Sequence, residues 1–418
     1  MNKIVEEYLD ADKELIAPVQ HIAELPLVVK IAEGPYLISV DNKRYLDFTS
    51  GACTMCLGYG IKDDFKFGSF PFPYASGVNQ IEYAKRLVKK FPGGFSSQIA
   101  FSVCGSDTND AAIKFSRAYT GRQKIVTFEG DYHGTTFGAA SLTSLPGRLS
   151  NKFAPMVGEI YAMPFCDENA DDERIDGVLE KIKALDCDTI AGFIVEPIQG
   201  DMGMLPMHQR LMHEIYSLSR KHHCAFIADE VQMAFYRTGP FFSIENYPDV
   251  FPDAVTMGKH IGGGIPLGAI LGRKEFMQAL GPCEHAFSMA GNSEACARGL
   301  YNFNLIESKG FQNNLHKNIE ILQDELKKLK QKYPSVIEKY TGLGLAYGLW
   351  VKSINSHEDD NKACQKIIKR AFDLGLYTMR IGANWIRIEP MLNLDEKLLK
   401  EGMAILDKAI ADYAGHKL

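Results

Sequence analysis

The chain has 418 residues, of which 46% are hydrophobic and 23% charged, a composition that excludes disorder and a length that predicts two lobes. Its formal net charge of −6, with no block of lysine and arginine to neutralise a phosphate backbone, argues against nucleic acid as a partner. No apolar run reaches the roughly 20 residues of a spanning helix, so no membrane is expected, and the acidic start of the chain lacks the apolar stretch of a signal peptide.

In chain order, a first helix precedes two short strands, residues 35–39 and 44–48, with a turn at Asp41-Asn42. Cys53 and Cys56 then form a lone C-x-x-C. No second pair completes a zinc site, so both are read as small buried hydrophobes and no metal is expected. Between Gln98 and Gly291, apolar runs alternate with amphipathic segments. Strands are predicted at 99–103, 125–128, 190–195, 225–228, 254–257 and 268–271, with helices at 110–119 and 210–221. That alternation predicts an α/β fold whose mostly parallel central sheet is sandwiched by helices. Beyond Asn292 the pattern turns helical, at 313–332, 362–374 and 396–413, with strands at 343–351 and 385–388. Residues 1–55 and 296–418 are expected to build a smaller α/β lobe from both termini, around a large domain at 56–295. The odd, dispersed set of nine cysteines points to reduced thiols and a cytoplasmic setting.

Ligands of open parallel sheets sit beyond the carboxyl ends of the strands, so the residues following each strand matter most. The first large-domain strand runs into Cys104-Gly105-Ser106-Asp107, a small-residue helix start suited to a phosphate, although on this segment alone a simple helix cap is the better reading. The next leads to Tyr132-His133-Gly134, an aromatic that could stack on a flat ring or merely pack on the core. Glu196 ends a third strand, and Asp229-Glu230-Val231-Gln232 a fourth. Apolar runs that terminate in acid are hard to explain by packing, because a buried charge needs a partner. Met257-Gly258-Lys259-His260 then ends a fifth strand, just before Gly262-Gly263-Gly264. A lysine entering an apolar pocket has its neutral amine favoured, the form that Schiff-base chemistry requires, although most lysines are surface groups. No G-K-S/T follows these glycines, so they are not a P-loop. The combination of acid, aromatic, helix start and lysine at successive strand ends fits pyridoxal 5'-phosphate. That cofactor needs an acid at its ring nitrogen, an amine at its aldehyde and an anchor for its phosphate.

With these motifs in order, the sequence resembles the class III aminotransferases of fold type I, the group that includes 4-aminobutyrate, ornithine and acetylornithine aminotransferases. The matching stretches include Gly105 to Lys114, Tyr132-His133-Gly134, Val195 to Gly200, Asp229 to Gln232, and Thr256 to Lys259 through Gly262-Gly263-Gly264 to Ala269. The resemblance implies a PLP-dependent enzyme that moves an amino group from an amino acid or amine donor to a 2-oxo acid in a ping-pong cycle. Lys259 would be the Schiff-base lysine and proton carrier, and Asp229 the partner of the pyridine nitrogen. Gln232 would reach the ring hydroxyl, with Val231 and Tyr132 on the two ring faces. Gly105 and Ser106 would hold the phosphate, with His133 and Glu196 completing the cofactor set. Ser288 falls where the family places a hydroxyl that reaches the neighbouring subunit's phosphate, which implies a homodimer with shared active sites. Arg387 matches the arginine that fixes a substrate carboxylate, and Asp201 the acid that can occupy it. Four features depart from the pattern, one being that Ala290-Gly291-Asn292-Ser293 lacks the usual proline after the asparagine. Thr135 stands where members that grip a second carboxylate often carry arginine, Asp201 replaces glutamate, and the segment between Gly60 and Pro73 is short. A racemase or 2-epimerase on the same scaffold is the alternative activity.

Overall fold

The structure is a computed structural model, described for residues 2–20, 22, 24–60, 75–147, 151–355 and 357–415. The segment between Gly60 and Pro73 therefore lies almost wholly outside the described residues. The chain divides into two compact units. One comprises Met1–Asp63, Lys309–Thr341 and Leu345–Leu418; the other comprises Asp64–Ser308 and Gly342–Gly344.

The larger unit is built on a seven-stranded sheet in the order Ser97–Ser102, Gly268–Arg273, Ala254–Met257, Ala225–Asp229, Ile190–Val195, Lys124–Phe128, Ile160–Met163. Gly268–Arg273 runs antiparallel to both of its neighbours and the remaining pairs are parallel, so the sheet is mostly parallel as expected. Every residue of Ile190–Val195 is buried, which is why this strand reads as a continuous apolar run rather than an alternating one. One face is covered by the helix Gly105–Thr120 through Ala111, Ala112, Ile113 and Phe115. This helix stops at Gly121, whose φ of 71° is a left-handed conformation that glycine adopts without a Cβ penalty.

The smaller unit carries two four-stranded sheets. The first orders Val29–Glu33, Tyr36–Ser39, Arg44–Asp47 and Leu376–Tyr377; the second orders Ile337–Leu343, Ala346–Val351, Trp385–Ile388 and Arg380–Ile381. Its long helices are Lys309–Lys332, Asp360–Asp373 and Glu396–Ala414. After the strand Arg44–Asp47 the backbone enters a left-handed run, with φ of 49° at Ser50, 57° at Gly51, 53° at Ala52 and 64° at Cys53. Such a run costs roughly 1 kcal/mol or more for each non-glycine residue. Asp47, fully buried, offsets it by accepting hydrogen bonds from the Thr49 N–H and hydroxyl, the Gly51 N–H and the Tyr59 hydroxyl.

Two expectations are corrected. The helix predicted over 110–119 starts at Gly105, because Asp107 accepts the N–H groups of Val103 and Cys104 and so caps the turn that Gly105 and Ser106 open. The single strand predicted over 343–351 is two strands, Ile337–Leu343 and Ala346–Val351, reversed at Gly344, where φ is 62°. Cys53 and Cys56 are buried as expected, and Cys53 also donates its thiol to Glu389 Oε1 at 2.9 Å. No helix among the described residues is long and apolar enough to cross a membrane.

Candidate active site

Six of the seven strands, all but Gly268–Arg273, point the same way, so their carboxyl ends lie along one edge of the sheet, and five of them deliver Gly105, His133, Glu196, Asp229 and Lys259 to that edge. Asp229 ends its strand at 5% exposure and is surrounded by donors. Its Oδ2 accepts Asn109 Nδ2 and His133 Nδ1, each at 2.7 Å, and its Oδ1 accepts the Val231 N–H at 2.9 Å. Thr256, on the adjacent strand, donates its hydroxyl to Asn109 Oδ1 at 2.8 Å and so orients that amide.

His133 is buried between two carboxylates. Its Nδ1 faces Asp229, while its Nε2 lies 3.3 Å from Asp131 Oδ2 and 3.0 Å from Thr127 Oγ1. Burial opposes its charge, but the hydrogen bonds from Asp131 and Asp229 outweigh that effect and push its pKa up to about 10. The ring is therefore an imidazolium at neutral pH, donating from both nitrogens. Asp131 is itself held by Gln199 Nε2 at 2.8 Å and by the Phe128 N–H at 3.0 Å. Glu196 accepts the N–H groups of Tyr132 at 2.7 Å and Gly200 at 3.1 Å, and burial together with the nearby Asp131 holds its carboxyl well above the ordinary range.

Lys259 follows its strand with φ of 48°, a left-handed conformation that is uncommon outside glycine and that clusters at functional sites. Its Nζ donates to Gln232 Oε1 at 2.5 Å, three residues beyond Asp229. Around them the backbone closes tightly. A Cβ on Gly105 would lie 2.5 Å from Val231 Cγ1, and one on Gly258 would lie 2.9 Å from Gly105 Cα. Ser106 Oγ accepts the Thr135 N–H at 3.1 Å, tying the helix start to the loop that carries Tyr132 and His133. The phosphate-type helix start, the acid and the lysine thus share one side-chain neighbourhood.

Tyr132 is half-buried in the same loop. Ser288 is exposed in a turn before the helix Ser293–Ile306, apart from this cluster in sequence and in hydrogen bonding. Arg387 belongs to the other unit, at 3% exposure, and its Nε lies 3.4 Å from Glu389 Oε2. Reading the sequence gave no role to Asn109, Asp131, Thr256 or Glu389. Asn109 and Thr256 lie in stretches that carry the resemblance, and Glu389 had a local signal, because residues i and i+2 of a strand share a face.

The residues present fit pyridoxal phosphate: an amine for its aldehyde, a donor-rich buried acid for its ring nitrogen, and a helix N-terminus backed by a glycine cradle for its phosphate. The family model described as aminotransferase class-III matches residues 18–410. The chain is 30% identical to isoleucine 2-epimerase of Lentilactobacillus buchneri, over 96% of this chain and 93% of that protein. It is also 30% identical to a probable 4-aminobutyrate aminotransferase of Bacillus subtilis, over 92% of each. A solved Bacillus anthracis aminotransferase, 25% identical, superposes with a TM-score of 0.85 over 98% of this chain and 99% of that one. The chain belongs to the class-III aminotransferases, a family of pyridoxal-phosphate enzymes.

Proposed function

We propose that this protein moves an amino group between an amino acid or amine donor and a 2-oxo acid, in two half-reactions that share one set of residues. The observation that most supports this is the hydrogen bond from Lys259 Nζ to Gln232, which links the amine to the loop just past Asp229. When bound, pyridoxal phosphate supplies an electron sink for the bond broken at the substrate carbon that bears nitrogen. Asp229, fed by His133 and Asn109, is the acid that would hold the proton on the ring nitrogen. Lys259 Nζ would take the proton from the substrate carbon that bears nitrogen and return it on the far side of that nitrogen, with Gln232 fixing the direction of the amine. Gly105 and Ser106 would take the phosphate on backbone N–H groups, Val231 and Tyr132 would flank the ring, and Glu196 would fix the Tyr132 loop. Arg387 would hold a substrate carboxylate, because its planar fork matches that group in two places.

A second reading is racemisation or 2-epimerisation, in which Lys259 Nζ would take the proton from one face of the substrate carbon and a solvent-derived proton would return to the opposite face of the same carbon. It is favoured by the 30% identity to isoleucine 2-epimerase and by threonine, rather than arginine, at position 135. One assay decides between them. The purified holoenzyme is given single amino acids in deuterated water, with and without a 2-oxo acid. Keto-acid formation that depends on the acceptor supports transfer. Inversion with deuterium uptake and no need for acceptor would overturn transfer and establish epimerisation. We also infer a homodimer in which Ser288 serves the neighbouring active site, and a cytoplasmic protein, the latter supported by nine free cysteines. Sedimentation of the holoenzyme as a monomer would overturn the shared site.

A further inference from the structure

Four ionisable side chains are buried together at the strand ends: Asp131, His133, Glu196 and Asp229. Asp229 Oδ2 lies 2.7 Å from Nδ1 of the His133 ring, and Asp131 Oδ2 lies 3.3 Å from its Nε2. A ring with a carboxylate at each nitrogen donates from both, and so carries a full charge. Among the described residues, its other hydrogen-bond partners are neutral. The Thr127 hydroxyl lies 3.0 Å from Nε2, the Thr143 hydroxyl accepts the His133 N–H, and the Asn109 amide donates to the His133 carbonyl. Glu196 accepts two backbone N–H groups, and burial with the nearby Asp131 favours its protonated form. The cluster therefore offers two carboxylates to one cation. Asp131 also accepts the Phe128 N–H at 3.0 Å, closing the turn after its strand, but an asparagine closes such a turn as well. The charge is what an asparagine lacks.

We propose that Asp131 is a positioning residue that acts through His133. It supplies the second anion that lets two protonated rings, the imidazole of His133 and the pyridine of the cofactor, share Asp229. This inference rests on the reading of Asp229 as the partner of the ring nitrogen. Two cations on one buried carboxylate would disfavour each other, and the weaker base of the two would give up its proton. With Asp131 on the outer nitrogen of His133, two cations face two carboxylates, and the buried site is balanced when the cofactor is in place. The proton that makes the pyridine ring an electron sink is thus held in part by a residue on the far side of the histidine.

The test is nitrogen NMR of the holoenzyme, with the histidines and the cofactor ring isotopically labelled and His133 assigned by its loss in His133→Gln. Spectra are recorded from about pH 6 to about pH 9, the interval in which an ordinary histidine loses its proton. The wild type is expected to keep both rings protonated throughout. Asp131→Asn is expected to lose one of the two protons within the interval. Removing the histidine charge as well, in the double variant Asp131→Asn with His133→Gln, is expected to leave the cofactor ring protonated, and loss of that proton would overturn the charge balance. If Asp131→Asn keeps both rings protonated while Asp229→Asn loses the proton of the cofactor ring, the role of Asp131 is overturned and the reading of Asp229 survives. If Asp229→Asn keeps that proton as the wild type does, the reading of Asp229 is overturned and the inference falls with it. Should Asp131→Asn fail to fold, the wild type decides: both rings protonated together support the proposal, and a neutral His133 beside a protonated cofactor ring overturns it.

Discussion

Asp229 and Glu230 are consecutive residues at the end of one strand, yet the sheet sends them to opposite faces and into different surroundings. On one face Asp229 meets a cation, His133, together with Asn109 and the Val231 N–H. On the other, Glu230 meets only neutral donors: the hydroxyl and N–H of Ser243 and the N–H of Ile244. It thereby fixes the short turn Ser243–Asn246, and burial pushes its pKa up to about 8 against those N–H donors. Under the proposed function, that difference separates an acid that would serve the cofactor from a structural one. Asp229 is backed by a cation and an amide, whereas Glu230, closed off by neutral donors, is driven by burial towards its proton.

Four variants sharpen that contrast. Lys259→Ala, on the Asp229 side, should lower turnover by roughly 10⁴-fold or more, the scale of removing a principal catalytic group, while the protein still takes up cofactor non-covalently. Steady-state rates and cofactor retention after gel filtration measure both, and near-normal turnover would sink the assignment. Asp229→Asn should lower turnover by about 10²- to 10³-fold, the size of losing one preorganised electrostatic partner. If Glu230→Gln costs as much, the contrast between the two faces is broken.

His133→Gln should cost less in rate and show itself in the pH dependence of the thermal midpoint. Its folded pKa of about 10 lies above the ordinary 6.5, so its charged form is favoured by the fold. That contribution is complete below 6.5 and is lost as the pH rises through about 10, and the variant should flatten this slope. Glu230→Gln should change the rate by less than about twofold, as expected of a change away from the chemistry. Its folded pKa of about 8 lies above the ordinary 4.5, so its contribution is complete below 4.5 and is lost as the pH rises through about 8. A wild-type midpoint that does not fall across that interval, or a variant that keeps the wild-type slope, would contradict this account of Glu230.

The larger unit was the more legible because its strands are buried on both faces. Ile190–Val195 and Ala254–Met257 stand out as unbroken apolar runs, and both lie at their predicted bounds. The edge strand Ile160–Met163 does not stand out. It is short and only Met163 is buried, so neither an apolar run nor a clean alternation marks it. The start of the helix Gly105–Thr120 was misplaced for a related reason. Its first turn is polar, and it is stabilised by Asp107 reaching back to two backbone N–H groups, a geometry that spacing only hints at.

Local chemistry in the sequence determined the strand ends, the lysine after the fifth strand, the acid at the end of the fourth and the small-residue helix start, because each follows from the burial and periodicity of its own segment. Which side chains complete those groups was decided only by tertiary structure. Asn109 and Thr256 reach Asp229 from a helix and a neighbouring strand, and Asp131 holds the far side of His133. Glu389 is fixed by Ser50 and Cys53, more than 300 residues away in sequence. Hydrogen bonds and ion pairs act over a few ångströms of space, and residues this far apart in the chain come within that range only when the sheets bring their backbones together.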